Sequence, residues 1–113
     1  MPHALIEFSD PAAIGVSEKD ILDAVFNVMR DSGLFDIESI KARTHPASMS
    51  RCGADDYSFI HAELRIMPGR TRAQKHDLSQ AVLRALEALP EQAKSTTVEV
   101  LEIDRDHYAK RVL

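Results

Sequence analysis

The apolar residues of this chain change period in a fixed order, from strand spacing to helix spacing and back, and they do so twice. Residues 3–8 (His3 to Phe8) read as a short strand that ends before Ser9-Asp10-Pro11. Ser17 then opens a helix, with Ser17-Glu18-Lys19-Asp20 in capping-box form. Ile21, Leu22, Val25, Phe26 and Met29 make one stripe along that helix, and Gly33 stops it. Residues 37–45 alternate, with Ile37, Ser39, Lys41, Arg43 and His45 on one face and Glu38, Ile40, Ala42 and Thr44 on the other.

The second half repeats the scheme. His45 to Asp56 reads as a loop, and residues 57–67 are the clearest strand, with Ile60, Ala62, Leu64 and Ile66 on one face. Pro68-Gly69 breaks it. Thr71-Arg72-Ala73-Gln74 is a second capping box, and Leu78, Ala81, Val82, Ala85, Leu86 and Leu89 carry a helix as far as Pro90. Residues 95–103 form the last strand, followed by a short charged tail, residues 104–113. Two β-α-β units sharing one four-stranded sheet, with both helices on one face, satisfy this order. The open face would carry Leu5, Ile37, Tyr57 and Phe59, which points to oligomerisation.

At 113 residues the chain has the length of one domain, residues 1–113. Its net charge of −4 disfavours a general nucleic-acid or anionic-membrane binder. The single Cys52 provides neither a disulfide framework nor a zinc site, and reads as an inert loop thiol. No apolar run approaches the roughly 20 residues of a membrane span. The amino terminus lacks the pattern of a signal peptide, so a cytoplasmic location is expected. The net charge hides a local excess: Lys41 to Lys75 holds seven cations against three acids, or +4. Such clustering suits a small anion, or else a solvated face.

Several residues can carry chemistry. Removal of Met1 would leave Pro2 with a free secondary amine; α-amines have pKa values of roughly 7.7–8.0, lowered by an apolar pocket or by nearby cations. A partly neutral amine can serve as a general base, although proline also simply suits the start of an edge strand. Arg70 precedes a helix opening and offers a fork for a carboxylate. Lys41 and Arg43 can meet another carboxylate or pair with Glu7 or Glu63. His61, beside Glu63 and Arg65, reads as an interface histidine. A metal site from His3, His45 and His61 has no supporting spacing.

These pieces resemble the 5-carboxymethyl-2-hydroxymuconate isomerase family of the tautomerase superfamily. The likeness runs through Met1-Pro2-His3, Leu5 to Asp10, Gly33-Leu34-Phe35, Ile40 to His45, Asp56-Tyr57-Ser58-Phe59-Ile60-His61, Leu64-Arg65-Ile66 and Gly69-Arg70-Thr71, and spans residues 2–103. It implies an α+β tautomerase-like fold assembled as a homotrimer. It also implies a cofactor-independent, metal-free keto–enol tautomerase acting on unsaturated 2-oxo or 2-hydroxy dicarboxylates from aromatic catabolism. Pro2 would be the catalytic base, with Arg70, Arg43 and Lys41 binding the substrate. Lys41 stands where the family commonly has arginine, and the tail is short for the family. A related proline-dependent decarboxylase or hydratase, and a non-enzymatic ligand-binding module, are the alternative functions.

Overall fold

The structure, a computed structural model, describes all 113 residues. The elements in order are β1 (His3–Phe8), α1 (Pro11–Ile14), α2 (Glu18–Asp31), β2 (Lys41–Pro46), β3 (Phe59–Ile66), α3 (Arg72–Glu87) and β4 (Ser95–Glu102). The strands form one sheet in the order β2-β1-β3-β4. Each crossover pairs its strands in parallel, β1 with β2 and β3 with β4, while the central pair β1 and β3 is antiparallel. This is the doubled β-α-β arrangement that the alternating periods require.

The alternation of each strand divides the sheet into two faces. Ala4, Ile6 and Phe8 of β1 and Ile60, Ala62 and Leu64 of β3 are buried. They share one core with Ile21, Val25 and Met29 of α2 and Leu78, Val82 and Leu86 of α3. Both long helices therefore cover the same face. The register sets residues of the other face in rows: Lys41, His3, Arg65 and Leu101 make one, and Arg43, Leu5, Glu63 and Glu99 the next.

Helix ends follow the sequence with one refinement. Thr71 and Gln74 form a complete capping box. At Ser17 only half of one forms: its hydroxyl accepts from Asp20 N at 3.1 Å. The aspartate side chain is one methylene shorter than the glutamate or glutamine that usually reaches back. After Asp31 and Ser32, Gly33 takes φ +73°, the left-handed conformation that glycine adopts without strain.

Three expectations are corrected. Strand β2 starts at Lys41 rather than at residue 37, because Ile37–Ser39 wind into a 3-10 turn in which Ile40 N donates to Ile37 O. Strand β3 starts at Phe59, not residue 57. Ile37 and Tyr57 thus lie outside the strands, and Leu5 and Phe59 are the apolar residues that remain of the four expected on the open face. The segment after β1 is not a plain break: Asp10 caps the short α1 by accepting from Ala12 N.

Candidate functional site

The topology brings three chain segments to the start of β1. Because β1 and β2 are parallel, the start of β2 lies there, with His3 opposite Lys41 and Lys41 N donating to Pro2 O at 3.1 Å. Because β3 is antiparallel, its end lies there too, with Arg65 opposite His3 and the Pro68-Gly69-Arg70 loop just beyond. The connection from α2, carrying Leu34 and Phe35, enters from the helix side. Pro2 is fully buried among these segments.

Arg70 is placed by this convergence. Its Nη2 donates to Leu34 O at 2.6 Å, and its guanidinium sits 5.1 Å from the centre of the Phe35 ring. Nη1 makes a longer bond to Met67 O. These contacts hold the group half-buried and planar over an aromatic face, in a geometry lysine cannot copy. Lys41 donates to Ser39 O. Arg43 donates through Nη1 to His3 Nδ1 at 3.3 Å. Lys41 and Arg43 do not pair with Glu7 or Glu63: Glu63 is taken by Arg65. The +4 stretch is thereby sorted. Of its seven cations, Arg65 and Lys75 have carboxylate partners, whereas Lys41, Arg43, Arg51, Arg70 and Arg72 have none.

The electrostatics at the amino terminus follow. Burial first, then the Lys110, Arg70 and Lys41 charges, push the Met1 ammonium below the ordinary α-amine value, and Asp36 opposes them. His3 is also lowered, by burial, then by Arg43, Lys41, the amino terminus and Arg65. A guanidinium only donates, so Nδ1 of His3 accepts from Arg43; neutral His3 then carries its proton on Nε2. That N–H donates to the Tyr108 hydroxyl at 3.1 Å. His3, Leu5, Arg43, Arg65, Leu101 and Tyr108 border a cleft of about 520 Å³ on the open face. A larger groove of about 940 Å³ between α2 and α3 contains none of the predicted site residues.

Pro2, Arg70 and Lys41 therefore converge at the start of β1, and Arg43 joins them through His3. The tail residue Tyr108 is not legible in the sequence as a neighbour of this corner, because a contact 105 residues apart in the chain leaves no trace in local spacing. His61 lies farther along the sheet, bonded through Nδ1 to Thr97 and through Nε2 to Glu99. Ligand atoms of His61, Glu63 and Glu99 lie within 4.8 Å of one another, but both ring nitrogens are committed to protein partners, and Glu63 is held by Arg65.

Comparison with known proteins bears on this geometry. The sequence model of 5-carboxymethyl-2-hydroxymuconate isomerase matches residues 2–111. The chain belongs to the 5-carboxymethyl-2-hydroxymuconate isomerase family. The match starts at Pro2 and extends into the tail, to residue 111, farther than the motifs alone reach. The family's fold is found here. A 5-carboxymethyl-2-hydroxymuconate isomerase from Deinococcus radiodurans R1 superimposes with TM-score 0.80 at 21% identity, over 97% of this chain and 88% of that one. A 5-carboxymethyl-2-hydroxymuconate delta-isomerase gives 0.81 at 20% identity, over 99% and 89%. A fused 4-OT wild-type symmetric trimer gives 0.70 at 19% identity, over 89% and 85%. A search of curated proteins finds no match. Family membership makes this 5-carboxymethyl-2-hydroxymuconate isomerase relative an enzyme, an isomerase of the tautomerase type.

Proposed function

We propose that the protein is a keto–enol tautomerase of unsaturated 2-hydroxy and 2-oxo polycarboxylates, using the Pro2 amine, freed by loss of Met1, as general base. The observation that carries this reading is the burial of Pro2 where Arg70 and Lys41 converge without carboxylate partners. Burial and like charge both disfavour the ammonium, which leaves an α-amine able to take a proton near neutral pH. The amine removes the enol proton from the 2-hydroxyl and returns it to carbon, so one group serves as base and then as acid. Arg70, Arg43 and Lys41 bind carboxylates and stabilise the dienolate charge that develops between the two transfers. The family's namesake compound carries three carboxylates, two from the muconate chain and one from the carboxymethyl arm, which suits a set of cations better than a single arginine. The reading includes a homotrimer in the cytoplasm and requires no metal or cofactor. It is supported by the trimeric relative of the same fold.

The test follows ultraviolet absorbance of 5-carboxymethyl-2-hydroxymuconate with protein whose mass shows that Met1 is absent. Pro2→Ala, which keeps an amino terminus but loses the secondary amine, is expected to lose at least about 100-fold in kcat, within the usual range for a general base. Ketonisation by Pro2→Ala at the wild-type rate would exclude the assignment. NMR of the product separates isomerisation from loss of carbon dioxide.

A further inference from the structure

Beyond β4 the chain turns back toward β1. Ile103 N donates to Ile66 O at 2.7 Å, continuing the pairing past the last strand. Asp104 caps a 3-10 turn, Arg105–His107, by accepting from Asp106 N. Tyr108 N closes the turn on Arg105 O, and the Arg105 side chain donates to Pro68 O. The Tyr108 ring stands edge-on to the His3 imidazole with centroids 6.3 Å apart, and its hydroxyl lies 3.1 Å from Nε2. Arg43 meets the other ring nitrogen at 3.3 Å. Arg43, His3 and Tyr108 thus form one hydrogen-bonded line from β2 through β1 to the tail, all three bordering the cleft on the open face.

We infer that Tyr108 is a positioning residue for Arg43: its hydroxyl, acting through His3, fixes the guanidinium at the cleft where a substrate carboxylate binds. The inference rests on the reading of Arg43 as a substrate cation, and adds a residue of the tail that sets its place. The chemistry of the line runs in one direction. A guanidinium has only donors, so Nδ1 must present its lone pair, and a neutral imidazole then carries its one proton on Nε2. Tyr108 supplies the acceptor for that proton, and so favours the tautomer whose lone pair faces Arg43. The reversed tautomer would set an N–H against a guanidinium N–H and leave the arginine without a partner. Burial, then the Arg43 charge, lowers the pKa of His3, which keeps the ring in the neutral form the line requires. Arg43 spends one nitrogen on this bond and has no carboxylate partner, so its remaining donors are left for a ligand. The tyrosine is a firm end for the line, because the turn and the Arg105 bond hold it from the side of the Pro68-Gly69-Arg70 loop.

A double-mutant cycle separates positioning from general support of the fold. Tyr108→Phe keeps the ring and removes only the hydroxyl. With 5-carboxymethyl-2-hydroxymuconate as substrate it is expected to lower kcat/KM about fivefold, the size of one neutral hydrogen bond. Arg43→Ala is expected to lose about 30-fold, as for a bond to a charged group. Added to Arg43→Ala, Tyr108→Phe is expected to cost less than about twofold more, because the group it positions is gone. Nitrogen-15 NMR of labelled histidine reads the same line without turnover, with His3→Gln identifying the His3 signals. Wild type is expected to show the Nε2–H tautomer, and Tyr108→Phe to move the Nε2 resonance. An Nδ1–H tautomer in wild type, an unmoved resonance, or a Tyr108→Phe loss that is absent or persists undiminished in Arg43→Ala would overturn the inference alone. Wild-type kcat/KM in Arg43→Ala would instead overturn the reading of Arg43 as a substrate cation, and the inference with it.

Discussion

Arg70 shows how much a single side chain must be restrained before it can recognise an anion. Its guanidinium is fixed by the Leu34 carbonyl and the Phe35 ring, so little rotamer freedom remains to be lost on binding. Arg70→Ala is expected to lower kcat/KM for the proposed substrate by about 100-fold, a typical loss for one donor to a developing charge. Arg70→Lys is expected to recover only part, because an ammonium cannot keep both the Leu34 bond and a bidentate carboxylate; steady-state kinetics on the two variants checks this. His3 gives a second expectation at this scale. Its pKa is lowered in the folded protein by burial and by Arg43, so the unfolded chain binds that proton more readily. The stability linked to neutral His3 is complete above roughly pH 6.5 and is lost as pH falls through that region. Urea unfolding between pH 7.5 and about 5 should show the decline, and His3→Gln should flatten it.

The helices and most strands were legible because a single local rule governs each of them. The stripe Ile21, Val25, Met29 and the alternation Ile60, Ala62, Leu64, Ile66 put those residues in the core, where they are found. The first part of the 37–45 segment is ambiguous in the sequence because four alternating residues fit a 3-10 turn as well as a strand, and only pairing partners decide between them. Of the proposed site, the cations stand out in the sequence and the tail does not. Lys41, Arg43 and Arg70 stand in a charge cluster visible along the chain, whereas Tyr108 reaches His3 only through the fold. Caps are the most local rule of all. Thr71→Ala removes the completed box at the start of α3 and is expected to cost about 1 kcal/mol in denaturant unfolding. Since Arg70 adjoins that cap, a loss of substrate affinity larger than the loss of stability explains would show that the cap also sets the arginine's position.

For the whole molecule the two faces of the sheet have different roles. The covered face holds the core, and Phe8 and Met29 are fully buried within it. Phe8→Ala is expected to destabilise the fold by about 3–5 kcal/mol, as large-to-small changes in a packed core do; thermal unfolding reports the loss. The open face is mostly polar, with Glu63 and Glu99 opposed across β3 and β4, Glu63 paired with Arg65 and Glu99 hydrogen-bonded to His61. On the proposed trimer, light scattering should give a particle three times the 12.6 kDa chain.

The two halves are related by an approximate dyad through the central β1–β3 pair, and the likeness extends to single bonds. Lys41 N donates to Pro2 O at 3.1 Å at the start of the first crossover pair, and Ser95 N donates to Ser58 O at 3.0 Å at the start of the second. Ser58 is therefore the positional twin of Pro2. A polypeptide has one amino terminus, however, so chemistry that needs a free α-amine can be installed at only one of two equivalent corners. Doubling the scaffold within one chain does not double the number of sites. On the proposed base assignment, one corner is held to its chemistry and the other answers to the demands of folding alone.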